Sequence, residues 1–214
     1  MNWVSGHRSG VVRWIVVAVV VVVAGAAGLI YWGWCSGKAA TALGTALDTY
    51  NAPLAQPGYP AENGVYTAAG DRAKAANQQF LAVARQYGWL AEGAKAHYFA
   101  GVTYEELGNS TAAETELKTA AGAWDRNLAN LAKLALAGIY HQADRDAEAI
   151  TLYNALAAKP SETVPAAVAQ LDLADLYAEE GKVDQARNLW AKIKDADKDG
   201  MAGAIATQKL GGKQ

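Results

Sequence analysis

The sequence predicts an all-α protein, with a single N-terminal transmembrane helix followed by an α-solenoid of about four helix hairpins. Three observations carry that expectation. Residues 14–34 are an uncharged stretch of 21 residues. From Leu90 onward, apolar residues recur at helical spacing with no strand-like alternation. Three tyrosines, Tyr104, Tyr140 and Tyr177, lie 36 and 37 residues apart and carry matching neighbours. Self-similarity at such a period is the mark of a repeat architecture, in which one helix pair is the unit.

The apolar stretch comes first in the chain. At 1.5 Å per residue a helix of this length covers about 31 Å, roughly the hydrocarbon thickness of a bilayer. Trp14 marks one end, and Tyr31, Trp32 and Trp34 the other, where amphipathic rings favour the headgroup region. Arg8 and Arg13 precede the span and only Lys38 follows closely. The positive-inside rule therefore places residues 1–13 in the cytoplasm and the remainder outside the cytoplasmic membrane. A cleaved signal peptide is the rival reading, since residues 24–27 are small, but the apolar run continues past them to the aromatic belt. Ala24 and Gly28 form a small-xxx-small pair at which a second membrane helix can approach closely. Cys35, the one cysteine, excludes an intramolecular disulfide. The bulky residues before it argue against lipid attachment, which leaves an interfacial thiol without a role, or, as the lesser alternative, one that pairs between molecules.

Residues 38–50 read as a helix in which Leu43, Gly44 and Leu47 echo the first half of a repeat. Residues 51–70 hold Pro53, Pro57 and Pro60 with Gly58 and Gly64, and read as a loop inserted between the first repeat's two helices, the second being residues 71–87. Further helices are expected over about 91–107, 110–123, 127–142, 146–158, 164–180 and 183–194. Residues 201–210, with Met201, Ile205 and Leu210 as a partial apolar stripe, read as a helix that caps the array. The resulting division is 1–13, span 14–34, juxtamembrane helix and loop 35–70, repeats 71–194 and C-terminal cap 195–214.

Within each repeat the chemistry is fixed by position. Three residues before each tyrosine stands Gly101, Ala137 or Ala174, and four after it Gly108, Asp144 or Gly181. Then follow Ala113, Ala149 or Ala186, next a bulky Leu117, Tyr153 or Trp190, and last Ala120, Leu156 or Ile193. Ala76, Phe80 and Val83 supply a fourth copy of the second half. Small side chains let two antiparallel helices cross closely, and the bulky one fills the groove between hairpins. Such a hairpin cannot bury its apolar face alone, so the units must stack.

This pattern resembles the tetratricopeptide repeat (TPR), in divergent form. The period exceeds the roughly 34 residues of that repeat. Its early Trp is replaced by His97 and Lys133, and only Pro160 lies near the closing proline. The resemblance implies a concave face of first helices that binds other proteins. On that face the spacing places Lys95, Tyr98, Val102 and Glu105, then Leu131, Leu134 and His141, then Val168, Leu171 and Asp175. An apolar patch with a few charges suits an extended or helical peptide segment. The Lys/Asn set that clamps a terminal carboxylate in some TPR domains is absent.

Other classes find little support. Of 19 basic residues two, Arg8 and Arg13, precede residue 36, which leaves 17 basic against 21 acidic residues for the rest, and no basic stripe suggests nucleic acid. The histidines His7, His97 and His141 stand in no metal-ligand spacing, and no phosphate loop, nucleophile elbow or carboxylate pair is present. No enzyme activity, cofactor, metal or small-molecule substrate is therefore expected. Asp195, Asp197, Asp199 and Gly200 do fit the first half of a calcium loop. The twelfth position, normally a bidentate Glu, is Ala206, so a polar turn with Asp199 capping the last helix is the expected reading.

Taken whole, a short basic N-terminus, one span ending in aromatics, a helix and about four divergent repeats resemble the bacterial membrane-anchored TPR family of the ancillary SecYEG translocon subunit, known as YfgM. That resemblance implies a single-pass inner-membrane protein with a periplasmic TPR-like domain. Its partners would be translocon subunits, periplasmic chaperones or clients, and it would act as an adaptor without catalytic residues. The alternative is a structural scaffold of an envelope complex, of the cell-division or outer-membrane assembly kind.

Overall fold

The computed structural model describes residues 5–55 and 65–211. Among these residues there are nine α-helices and no strand, only an isolated bridge between Leu54 and Tyr66. Pro57, Pro60, Gly58 and Gly64 of the expected loop lie outside the described residues, as does His7 where its side chain is concerned.

The first helix, α1 (Ser5–Tyr50), unites what the sequence suggested as two elements. No proline interrupts it, and Thr41 and Thr45 return their hydroxyls to the carbonyls of Gly37 and Thr41, so the helix has no reason to stop at residues 35–37. Its first part is long and apolar enough to cross a membrane, and none of that stretch is buried within the protein. Burial begins at Cys35 and continues through Ala39, Leu43 and Ala46, one stripe at helical spacing. Cys35, expected as an interfacial thiol, is thus a core residue of the first hairpin, where its sulfur behaves as a small apolar group.

The remaining helices alternate. They are α2 (Ala69–Tyr87), α3 (Ala91–Glu106), α4 (Ser110–Ala121), α5 (Arg126–Gln142), α6 (Asp146–Ala158), α7 (Ala166–Glu179), α8 (Val183–Ala196) and α9 (Met201–Gly211). Each packs on the next, and α1 also touches α3, α3 touches α5, and α7 touches α9. The odd-numbered helices therefore form one layer and the even-numbered ones the other, giving four hairpins and a terminal helix. The pairing is antiparallel. Tyr50 sits edge-on to Phe80 with ring centroids 6.2 Å apart, while Tyr87 shares a cleft with Trp34 and Lys38 at the opposite end of the pair. Leu128 lies beside Leu90, and Gln142 reaches Glu105, so α5 runs parallel to α3. One edge of the array, called proximal here, thus carries Cys35 and the turns that follow α2, α4, α6 and α8.

Small residues set the crossings. Ala76, Ala96, Ala100, Ala113, Ala120, Ala132, Ala137, Ala149, Ala174 and Ala186 are all fully inaccessible. At Gly101 even a methyl group is too much, because an added Cβ would stand 2.5 Å from Leu117 Cγ. Leu117, Tyr153 and Trp190, the bulky positions of the repeat, are buried between these crossings, as are Ala120, Leu156 and Ile193. Burying polar groups needs partners, and Asn77 of α2 finds them by donating to the Ala100 carbonyl at 3.0 Å and to Thr103 Oγ1 at 2.9 Å on α3.

The repeating tyrosine marks a repeating turn. Its carbonyl accepts the N–H five residues on, 2.8 Å away, in all three copies: Asn109 to Tyr104, Arg145 to Tyr140, and Lys182 to Tyr177. The residue between adopts a positive φ, +73° at Gly108, +55° at Asp144 and +76° at Gly181. This is the Schellman helix end, in which a left-handed residue turns the chain and satisfies the orphan carbonyls.

The C-terminal helix departs from expectation in two respects. Met201 and Ile205 are exposed, and the buried face is Gly203 and Ala206 with Ala202 and Leu210 against Trp190 and Ile193. The crossing selects small residues, since a Cβ on Gly203 would meet the Asp197 carbonyl oxygen at 1.8 Å. The carboxylate at the start of α9 is that of Asp197, which accepts the Gly203 N–H at 3.1 Å, and not that of Asp199, which is exposed.

The turn geometry makes a measurable prediction. Gly108→Ala and Gly181→Ala place a Cβ at positive φ and should each cost about 1 kcal/mol, whereas Asp144→Gly should gain up to about that much. Thermal unfolding of the micelle-solubilised chain, followed by far-ultraviolet circular dichroism, should show two lowered midpoints and one raised. Three equal midpoints would contradict a left-handed requirement at these sites.

Candidate functional site

The odd-helix layer presents the face on which the sequence places a partner. None of its ten expected residues is fully buried: Lys95 is exposed and the rest are half-buried. They do not form one continuous wall. Tyr98 lies edge-on to Phe99 at 5.3 Å, and burial first, then the nearby Glu105 charge, pushes its phenol above the ordinary range. Glu105 accepts from Gln142 Nε2 at 3.3 Å, which ties α3 to α5. Leu131 and Leu134 lean on the cluster of Leu156, Val164 and Ala169, and Leu171 on that of Ala174 and Trp190. Lys95 turns instead toward the proximal edge, where it lines a cleft between the α2–α3 and α4–α5 turns. Val102 and Val168 stay half-accessible beside them.

Charges close the far part of this face. His141 Nδ1 lies 2.7 Å from Asp146 Oδ1 on α6, and its Nε2 lies 2.8 Å from Glu179 Oε2 on α7. The two carboxylates, Asp146 first, raise the imidazole above its ordinary value of 6.5. His141, which the sequence places on the partner-binding face, is therefore a link between the third and fourth hairpins. Asp175 accepts from Lys209 Nζ of α9 at 2.7 Å. Asp172, absent from the sequence-based set, is half-buried on the same helix, and burial, then Asp175, lifts its carboxyl above the usual range. Its position three residues before Asp175 was the available signal; Lys209 had none, since only the return of α9 brings it near.

Arg145 is a second link. Its guanidinium donates to Glu114 Oε2 on α4 at 2.7 Å, takes both oxygens of Glu148 at 2.6 Å, and lies 4.1 Å over the Tyr140 ring. The hydrogen bond from Arg145, then that from Lys118, holds the Glu114 carboxyl down at about 2. His97 bridges within the second hairpin, its Nδ1 lying 2.6 Å from Glu116 Oε2. His141 and Asp175 of the face, with His97 and Arg145 near it, thus pair across helices, and among the described residues no three His, Cys, Asp or Glu converge as metal ligands. Ala206, at the twelfth position of the calcium-like loop, is fully buried in the core.

On α1, Ala24 and Gly28 are exposed, and a Cβ on Gly25 or Gly28 would meet nothing within 4 Å. That flank is open to another helix.

Stacked antiparallel hairpins with small-residue crossings and an accessible odd-helix face define a helical-repeat protein of the kind that serves protein–protein interaction. The chain belongs to the tetratricopeptide repeat-like domain family, whose model matches residues 11–211. No curated protein matches it.

The His141 bridge carries a sign. An imidazole whose folded value is raised contributes stability in full below the ordinary 6.5, and that contribution fades as the pH climbs through the raised value. His141→Gln should therefore lower the thermal midpoint distinctly at about pH 5.5–6 and hardly at all at about pH 8.5. An equal loss at both values would mean that packing, and not charge, is what the ring supplies.

Proposed function

We propose that the chain is a membrane-tethered adaptor whose solenoid holds segments of other proteins close to the membrane. The observation that carries this reading is the continuity of α1, which passes from an apolar, unburied stretch into the core of the first hairpin without a linker. A repeat domain so mounted is held at the bilayer, and tethering raises its effective concentration toward anything else that sits there. With Arg8 and Arg13 ahead of the span, the positive-inside rule supports a cytoplasmic N-terminus and a solenoid on the opposite, periplasmic side of an inner membrane. The YfgM resemblance supports the same arrangement, with Sec translocon subunits beside α1 at Ala24 and Gly28. Clients or periplasmic chaperones would then meet Lys95, Tyr98, Val102, Glu105, Leu131, Leu134, His141, Val168, Leu171 and Asp175.

A scaffold for one envelope complex is the second reading. It is favoured by the pairing of His141 with Glu179 and of Asp175 with Lys209, which stiffens the far half of the face, as a fixed folded partner would require.

Photoreactive residues in place of Gly28 and Leu134, crosslinked in intact cells, separate the two. The adaptor predicts a translocon subunit at position 28 and varied secreted proteins at position 134. One fixed envelope complex at both positions would replace it with the scaffold. Cytoplasmic proteins at position 134 would overturn the topology on which both depend.

A further inference from the structure

The proximal edge carries apolar groups that the distal edge lacks. Trp89 stands in the α2–α3 turn at 59% exposure, Trp124 in the α4–α5 turn at 105%, and Met201 after the α8–α9 turn at 81%. On the distal edge the exposed large apolar side chains among the described residues are Leu54 and Leu107, at 40% and 36%. Such asymmetry in turns, where polar residues are the rule, calls for a low-polarity neighbour on one side only.

The direction in which that edge faces follows from α1. Tyr87, two residues before Trp89, shares its cleft with Gly33, Trp34, Gly37 and Lys38, so the end of α2 lies level with the end of the apolar stretch. The Lys38 ammonium lies 3.6 Å over the Trp34 ring, a cation–π contact at the end of the apolar stretch, where Trp and Lys side chains mark the headgroup boundary. The chain past Tyr87 therefore continues toward the plane that Trp34 marks. Trp89 and Trp124 flank one cleft of about 700 Å³, floored by Leu90, Ala91, Ala94 and Leu128. An indole, with an apolar body and one N–H donor, is the side chain best suited to the headgroup boundary.

We propose that this edge, at residues 88–90 and 122–125, lies on the lipid surface into which α1 is inserted, with the indoles of Trp89 and Trp124 in the headgroup region. The inference rests on α1 being a membrane span. It goes beyond that reading in fixing the posture of the solenoid: the first two hairpins stand with their turns on the bilayer and their odd-helix face roughly perpendicular to it. Charges on the edge are mixed, with Lys95 and Arg126 beside Glu92 and Asp125, so the contact is aromatic and zwitterion-tolerant instead of a basic patch seeking acidic lipid.

The test uses the full chain labelled with 5-fluorotryptophan and reconstituted in nanodiscs of phosphatidylcholine and phosphatidylglycerol. Each resonance is assigned by a single Trp→Phe variant, and a lipid spin-labelled at its headgroup is then added. Trp32 and Trp34 report the span, and buried Trp190 is the internal control. The expected result is that Trp89 and Trp124 broaden as Trp32 and Trp34 do, while Trp190 stays sharp, and that 0.5 M salt does not reverse it. Broadening of Trp32 and Trp34 alone overturns the posture but leaves the span standing, and gives the cleft to a protein partner. No broadening of any of the four overturns the span and the posture together.

Discussion

The close crossing of antiparallel helices is the constraint on which the rest of this structure depends. Where Gly101 meets Leu117, or where fully buried alanines face one another, the backbones approach as nearly as sterics permit. Such crossings bury little apolar area per side chain, so alanines cannot carry the stability by themselves. What they do is bring the bulky positions of neighbouring hairpins into register, so that Leu117, Tyr153 and Trp190 can be buried between units. The Schellman ends serve the same purpose. A hairpin whose turn is fixed by a left-handed residue and two backbone hydrogen bonds returns its second helix at one angle, and only then does the crossing close.

That constraint explains why so much of the fold was legible and where legibility stopped. A crossing must be small, a turn must be left-handed and a groove must be filled, and each requirement leaves a residue type at a fixed place in the period. Tyr104, Tyr140 and Tyr177 with Gly108, Asp144 and Gly181 therefore announced three hairpins, and Ala76, Phe80 and Val83 the second helix of a fourth. The terminal helix obeys a weaker rule. It has a neighbour on one side only, and its apolar residues Met201 and Ile205 suggested a stripe that the crossing, which needs Gly203 and Ala206, turned outward. Asp197 and Asp199 are chemically alike, and only the backbone path decides which of them meets the Gly203 N–H.

The odd-helix face was harder to read for a different reason. Helical spacing tells which side of a helix a residue occupies but not what arrives opposite it from another hairpin. Leu131 and Leu134 lie on the expected side yet lean on Leu156 of α6 and on Val164 of the α6–α7 turn. His141 meets Glu179, 38 residues away, and Asp175 meets Lys209, 34 residues away. Pairings at that separation arise from the stacking of units and have no local signature. The same holds for Cys35: an aromatic belt before it suggested an interface, whereas α2 covers it.

Helix α1 joins an unburied apolar stretch and a packed core in one element. Its outward face in the apolar stretch is accessible all round, while from Cys35 onward one stripe is sealed by α2. The changeover takes a single residue, from exposed Trp34 to buried Cys35. A linker would have let the solenoid tumble relative to the apolar stretch, and contacts with any neighbour of that stretch would then cost orientational entropy. A continuous helix removes that freedom, because rotating the repeats requires either rotating α1 as a whole or breaking its hydrogen bonds near residues 35–39. The family match begins at residue 11, inside this helix and well ahead of the first repeat, so anchor and array are matched as one unit. Ion pairs then extend the rigidity along the array, Arg145 with Glu114 between the second and third hairpins, His141 with Glu179 between the third and fourth. Orientation set by α1 is thereby carried to the far end of the solenoid, and the odd-helix face keeps a fixed relation to whatever stands beside α1.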